Sequence, residues 1–334
     1  MRSQSRVLSR AFLGVVAAVS FGAAGLHAVA ADKPLIKLRY QQAFAPSAAD
    51  MGLYTAAAKG YFKDEGIEVD IRRSQDASNA VFMVGAGEAD IGASYPPDIL
   101  LAADKGLSVL GIWAKFQVNP LGIVSLTDGA NIGSAKDLAG KKIGLTPLPI
   151  DQLLFDFVLE KGGLTRKQLD IVNPGFNGGQ MVGERKLDGA SGVPWYEVAG
   201  LRTAGMNPKL LQYRDMGGLD FPFMAIIANG QYAKANAETL KGFLRALRKG
   251  EDYAKQHPAE GMDALLKAAP ALDRKRQEAT LAAVGPLREG PGTVSHGLGY
   301  LDMAQLQQLA DFLYERKVLK TKVDAANVFT NRYR

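Results

Sequence analysis

LIKLRYQQAFAPSAADMGLYTAAAKGYFKDEGIEVDI, residues 35–71, holds two alternating runs with a helical pattern between them. Residues 35–40 and 67–71 place apolar and polar side chains in turn, which is the period of a half-buried strand. Between them, Ser47 and Asp50 offer helix caps. Met51, Leu53, Tyr54 and Ala57 then give an amphipathic helix that stops near Lys59 and Gly60. The alternation continues downstream. A helix is expected from Ser78 through Val81, Phe82 and Val84, closed by Gly85 and Gly87. A short buried strand follows at 89–93, a helix at 98–105 stopped by Gly106, and a strand at 108–113. The order β-α-β-α-β-α-β predicts an α/β fold with an open, mostly parallel sheet flanked by helices.

The pattern restarts near residue 125. A short helix is expected at 134–138, a strand at 142–145, and a helix at 151–161 ended by Gly162 and Gly163. A strand at 170–172, a helix at 178–186 and a strand at 188–192 lead into Pro194, Trp195 and Tyr196. This second unit ends near Phe221, and the continuous apolar run 223–228 (FMAIIA) suits a central strand. The last third reads as helical. Leu240, Phe243, Leu244, Leu247 and Tyr253 have helix spacing within 237–256, and further helices are expected at 258–268, 274–284 and 302–316. Two α/β units followed by a helical tail suggest that the tail returns to the first unit.

The first thirty residues read as a cleaved secretory signal peptide. Arg2, Arg6 and Arg10 precede an uncharged apolar run at 11–26, and Ala28-Val29-Ala30 has the small-x-small form of a cleavage site. The run is shorter than the ~20 residues a spanning helix needs. Removing three arginines and no acid lowers the formal charge from +6 to +3. That is too little, and too scattered, for a nucleic-acid partner. The 334 residues include no cysteine, which excludes disulfides, thiolate metal sites, cysteine nucleophiles and an N-terminal lipid anchor. The mature chain is therefore expected to be soluble and periplasmic.

Catalytic and cofactor motifs are sparse. Only His257 and His296 remain after cleavage. The first reads as a helix-end residue, the second as part of a glycine-rich loop at 292–299. No HExxH, GxSxG or phosphate-loop spacing occurs, and Gly85-Ala-Gly87 follows a helix rather than a strand. No metal, no cofactor and no catalytic residue is expected.

Aromatic residues instead gather after the expected strands. Tyr40 and Phe44 follow the first, Tyr95 the third, Trp113 and Phe116 the fourth; Trp195 and Tyr196 follow a strand of the second unit, and Phe221 and Phe223 flank the return strand. Open α/β sheets bind ligands beyond the carboxyl ends of their strands. Ring walls with a few polar groups suit a planar, largely apolar solute. Asp50, Asp98 and Glu197 accompany the rings and could meet a ring amine or amidine. The simpler readings are core packing for the rings, helix caps for Asp50 and Asp98, and a solvated helix start for Glu197.

Several stretches carry a resemblance. Gly52-Leu-Tyr54, KGYF at 59–62, Glu65-Gly-Ile67, Val69, GEAD at 87–90 and KDLAGKKIG at 136–144 are similar to the solute-binding proteins of bacterial ABC importers. The branch is the one that includes thiamine-pyrimidine-precursor, sulfonate, taurine and nitrate binders. The resemblance implies a two-lobed, type II-like periplasmic binding protein with a two-strand hinge that closes on a small molecule. It places one lobe at 31–124 plus 225–334 and the other at 125–224. It also implies a membrane permease and an ATPase as partners, with the binding protein itself a monomer.

The ligand is narrowed by finer likeness. Sulfonate- and nitrate-type members use Ser/Thr and backbone amides at the helix after the strand ending in Gly144, because helix N-termini hold anions. Here two prolines remove donors from 144–151 and Asp151 adds negative charge. Ser94-Tyr-Pro-Pro, Asn119-Pro-Leu and Phe221-Pro-Phe are similar to segments of the pyrimidine-precursor group. Asp50 stands where that group carries a histidine, which eukaryotic pyrimidine-synthesising relatives use chemically. The ligand-binding set expected on this basis is Tyr40, Phe44, Asp50, Tyr95, Asp98, Trp113, Asn119, Trp195, Tyr196, Glu197 and Phe221. The ligand expected is a planar nitrogen heterocycle or aromatic, a thiamine pyrimidine precursor among them. An aliphatic sulfonate, taurine or nitrate is the alternative, with Arg39, Arg72, Arg73 and Arg185 to hold it. A periplasmic enzyme using Asp50 or His296, or a sensor, are further alternatives.

Overall fold

Strands β1 (Ile36–Gln41), β2 (Ile67–Arg72), β3 (Ile91–Ser94) and β4 (Val109–Ala114) form where the sequence alternates or turns wholly apolar. Further on come β5 (Gly122–Leu126), β6 (Lys142–Gly144), β7 (Asp170–Val172), β8 (Gly189–Gly192), β9 (Pro208–Gln212) and β10 (Ala225–Asn229). The computed structural model describes residues 34–73 and 77–334. The expected leader at 1–30 lies outside the described residues. Residues 35–334 pack as one compact unit, and no helix among the described residues is long and apolar enough to cross a membrane.

The strands make two five-stranded sheets, ordered β2-β1-β3-β10-β4 and β7-β6-β8-β5-β9. In the first, β1 pairs parallel with β2 and β3, while β10 runs antiparallel between β3 and β4. In the second, β6 pairs parallel with β7 and β8, while β5 runs antiparallel between β8 and β9. Each sheet is thus mixed, with one reversed strand in the same place. That strand is the one the chain uses to arrive from the other sheet. β10 and β5 are buried along their whole lengths, as interior strands should be, including Ser125 and Asn229, which are hydrogen-bonded. β5 and β9 were not anticipated: β5 (GIVSL) is short and buried throughout, its one polar residue Ser125 accepting from Ile132 N, and β9 (PKLLQ) has no alternation.

The helices follow the β/α alternation: α1 (Met51–Ala58), α2 (Tyr61–Asp64), α3 (Ala77–Gly85) and α4 (Pro96–Asp104) in the first half, then α5 (Pro149–Lys161), α6 (Gly178–Gly183) and α7 (Ala199–Thr203). After β10 come α8 (Gly230–Ala235), α9 (Ala237–Gln256), α10 (Pro258–Ala268), α11 (Arg274–Val284), α12 (Pro291–His296) and α13 (Met303–Glu315). α9 lies on α1, α2 and β2, and α13 lies on α4. α9 and α10 thus lie over the first sheet, while α11 also packs on α7 and the 194–198 turn, and Phe312 of α13 meets Phe157 of α5. Two expectations are corrected. The helix read at 178–186 ends at Gly183, because Arg185 turns to a φ of 57° and the chain folds back, Lys186 N donating to Met181 O at 2.9 Å. His296 closes the short helix α12, which Pro291 starts, and is not in a loop.

β4 is a sheet edge, yet it is buried. The chain end covers it: Gly111 N donates to Val328 O at 2.8 Å and Thr330 N to Gly111 O at 2.9 Å. A Cβ at Gly111 would lie 2.3 Å from Phe329 Cδ1, so only glycine lets the ring lie flat on the strand.

Candidate functional site

The reversed strands bring the crossing segments to the strand ends that matter. Ala225, the first residue of β10, pairs with Ser94 and Ala114, the last residues of β3 and β4. Gly122, the first of β5, pairs with Gly192 and Gln212 at the ends of β8 and β9. Both crossings, 115–121 and 213–224, therefore run past the carboxyl ends of parallel strands from both sheets. Asn119 ties the crossings together. Its Nδ2 donates to Leu219 O at 3.1 Å, and its backbone N donates to Asp220 Oδ1 at 2.8 Å.

Rings fill this junction. Phe223 has Tyr95 at 4.9 Å, Trp195 at 5.9 Å and Phe221 at 6.4 Å between ring centres. Phe116 stacks on Trp195 at 5.1 Å with 27° between planes. Tyr95 comes from the first sheet, Trp195 from the second, and Phe116, Phe221 and Phe223 from the crossings. Phe116, Phe221 and Phe223 are buried, so the ring faces left to a ligand are those of the half-buried Tyr95 and Trp195.

Charged groups border the rings on the first-sheet side. Asp50 forms an ion pair with Lys115, the residue that follows β4; their side chains are only 14% and 7% exposed. Asp50 precedes α1 but caps nothing with its side chain, so its reading as a helix cap is corrected. Ser47 is the side-chain cap here, accepting from Ala49 N at 3.2 Å. Arg288 pairs with Glu251 and donates to Ala49 O at 3.0 Å. Burial pulls the Arg288 guanidinium down to about 10, against the field of Asp50. Burial raises the Tyr95 phenol, and Asp98 and Asp50 raise it further, which keeps it a neutral donor. Asp98 stands in the first turn of α4; Tyr95 occupies the cap position, so the capping role read for Asp98 is also corrected.

The second-sheet side is acidic. Asp151, in the first turn of α5, accepts from Thr146 Oγ1 at 2.6 Å and from the Tyr213 hydroxyl at 2.8 Å. Burial raises its carboxyl in spite of these bonds. Glu197 lies on a π-helical turn, Pro194–Val198, that follows β8. Its carboxylate folds back to accept from Val193 N at 2.7 Å. A Cβ at Gly192 would come within 2.6 Å of Glu197 Cγ, so glycine there makes room for the acid. Burial pushes Glu197 up to about 7, helped by the charge of Asp151 and opposed by the Val193 amide. Glu197 is thus an inward-facing acid and not a solvated helix start.

The expected residues divide into groups. Asp50, Tyr95, Asp98, Asn119, Trp195, Glu197 and Phe221 stand at or beside the junction. Tyr40, 1% exposed, stacks on Phe243 at 6.0 Å beneath α9, and buried Trp113 faces Gly299; both belong to the core. Phe44 is exposed, and Tyr196 is exposed with the Arg276 guanidinium 5.2 Å from its ring centre. Sequence reading missed Lys115 and Arg288. Lys115 had a signal, since it immediately follows a strand end; Arg288 had none. The four arginines read as an alternative anion clamp are used elsewhere. Arg39 pairs with Asp90, Arg72 with Asp70 and Arg185 with Asp128, and Arg73 donates to Ala268 O. No cluster able to hold a metal occurs among the described residues.

Comparisons with known proteins bear on the family and the fold. The formylaminopyrimidine-binding protein of Halalkalibacterium halodurans is 27% identical over 222 residues, 66% of this chain and 67% of that one. A 4-amino-5-hydroxymethyl-2-methylpyrimidine phosphate synthase of Aspergillus parasiticus is 26% identical over 230 residues, again 66% and 67%. The periplasmic aliphatic sulphonate binding protein SsuA of Escherichia coli shares the fold, with a TM-score of 0.67 at 14% identity over 88% of this chain and 91% of that one. The two mixed sheets are those of the periplasmic binding protein fold. Residues 48–261 match the family described as NMT1/THI5 like, and the chain belongs to that family.

Proposed function

We propose that this protein is the soluble solute-binding component of an ABC importer, and that its ligand is a small planar nitrogen heterocycle. The observation that carries the reading is the ring cluster of Tyr95, Phe116, Trp195 and Phe223 where both crossings meet the strand ends. Flat rings recognise a flat ligand, and the acids beside them recognise ring nitrogens and exocyclic amines. Glu197, held up to about 7, can accept from or donate to such a ring near neutral pH. A pyrimidine of the kind named for the Halalkalibacterium relative fits this chemistry.

In this reading the lobes are 31–124 plus 225–334 and 125–224, and the crossings are the hinge. The ligand bridges the lobes and selects the closed form, which the permease and its ATPase then recognise. The chain is exported by its leader, acts in the periplasm as a monomer, and performs no chemistry on the ligand. The synthase among the relatives makes turnover the competing reading. Asp50 supports binding over turnover, because the buried Lys115 ion pair engages its carboxylate where the pyrimidine group carries histidine. An oxyanion ligand is disfavoured because Lys115 and Arg288 already hold Asp50 and Glu251.

Native mass spectrometry of the protein isolated without denaturation tests the ligand class. A bound pyrimidine or other aromatic is the expected result, and a sulfonate or carboxylate overturns it. For empty protein, a thermal-shift panel follows, since ligand at ~100 times its dissociation constant adds about 2.7 kcal/mol. Conversion of 4-amino-5-hydroxymethyl-2-methylpyrimidine into a new product would overturn the non-enzymatic reading.

A further inference from the structure

Helix α11 touches both sides of the junction although it lies about eighty residues beyond Trp195 in the chain. One face docks on the first-sheet side. Leu281 packs against an apolar cluster containing Met51, Met262 and Leu265, and Val284 enters the main core. On that face Gln277 Oε1 accepts from Ala48 N at 2.8 Å. The adjoining face, neighbouring the first along the same buried stripe, meets α7 and the ring-bearing turn of the second sheet. Thr280 Oγ1 donates to the Trp195 carbonyl at 3.2 Å, and Arg276 lies over the Tyr196 ring. Gln277 and Thr280 are one helical turn apart, and both are buried.

The two faces differ in kind. The first is held by apolar burial, which is lost only by exposing several side chains to water. The second packs closely on the Pro194–Val198 turn and α7, and its polar ties are one hydrogen bond and one ring–cation contact. We propose that Thr280 and Arg276 are positioning residues: α11, carried by the first lobe, latches the Pro194–Val198 turn and sets the Trp195 ring against Phe116. The inference rests on the two-lobe reading above. It adds a third, non-covalent link to the two covalent crossings. When the lobes part, the contacts at Thr280 and Arg276 open, while those at Leu281 and Gln277 stay closed. Closure then places Trp195 by way of its backbone carbonyl, not only by stacking of its ring.

Hydrogen–deuterium exchange on the full chain, without ligand, tests the latch in Thr280→Val, Thr280→Ser and Arg276→Gln. Loss of one hydrogen bond should raise exchange across residues 194–203 about fivefold in Thr280→Val. Thr280→Ser, which keeps the hydroxyl, should exchange like the unaltered protein, and Arg276→Gln should loosen the same segment. Peptides from α10 and α11 should not change. Unaltered exchange at 194–203 in both Thr280→Val and Arg276→Gln overturns the proposal. So does an equal rise in α10 and α11, which would make α11 an ordinary core helix. A parallel calorimetric titration uses 4-amino-5-hydroxymethyl-2-methylpyrimidine as the probe. If the unaltered protein does not bind it, the ligand class fails, and the exchange comparison still decides the latch.

Discussion

Replacing Glu197 by glutamine should abolish one component of the pH dependence of stability. Burial raises the Glu197 carboxyl from an ordinary 4.5 to about 7 in the folded protein. The folded state therefore binds a proton that the unfolded state has already lost between those two values. Stability supplied by the neutral acid is fully present below about pH 4.5, falls as pH rises through the window, and is gone above about 7. A displacement of about 2.5 units at about 1.4 kcal/mol each gives a loss on the order of 3 kcal/mol. Glutamine keeps an oxygen for the Val193 amide and cannot ionise, so Glu197→Gln should lack this slope. Urea unfolding at pH 5, 6, 7 and 8 measures both proteins, and the quantity of interest is their difference. Asp151 is also raised by burial, and its charge is one cause of the Glu197 shift, so the difference between the proteins reports the coupled pair. The variant should gain on the parent by about 2–3 kcal/mol between pH 5 and 8. A difference that stays flat within about 0.5 kcal/mol would refute the argument, because it would mean the carboxylate is solvated in the folded protein.

Three other outcomes are expected. Trp195→Ala should weaken binding of an aromatic solute about tenfold or more by calorimetry, with a cooperative melt retained; unchanged affinity removes Trp195 from the site. Asp50→Asn leaves the buried Lys115 ammonium without its counter-charge and should cost about 3–5 kcal/mol in chemical denaturation, whereas Asp50→Leu with Lys115→Met should recover most of it; equal stability of both single and double variants would show the pair to be hydrated. Gly111→Ala forces a methyl group into Phe329 and should destabilise by about 1–3 kcal/mol, relieved by Phe329→Leu; an additive double variant would argue that the ring does not lie on β4.

The strands and helices of the β/α repeats were legible because each carries its own local period. The β1–α1–β2 run at 36–72 and the return strand β10 are where the pattern placed them. β5 and β9 escaped because GIVSL is a five-residue interior strand buried on both faces, its single serine included, and PKLLQ has no alternation. The site was legible in part. Tyr95 and Trp195 follow strands and do face the junction, but Tyr40 and Trp113 prove to lie within β1 and β4 and point into the core. Which of two faces a strand-end ring takes depends on what the tail lays over it, here α9 and the glycine at 299. Arg288 reaches Ala49 and Glu251 only through the tertiary fold, so no local pattern could announce it.

The position of β10 between β3 and β4 sets the order in which the chain can assemble. The second sheet is built from one continuous stretch, 122–212, and can close as soon as that stretch is available. The first sheet cannot. Its middle strand is encoded after the whole second sheet, so β3 and β4 wait with facing edges unpaired until residue 225 and beyond arrive. Pairings this distant in sequence carry a high contact order and form slowly. Until then β3 and β4 present facing unpaired apolar edges, the condition in which a folding chain most readily pairs wrongly or aggregates, so the arrival of β10 is the step that protects the first sheet.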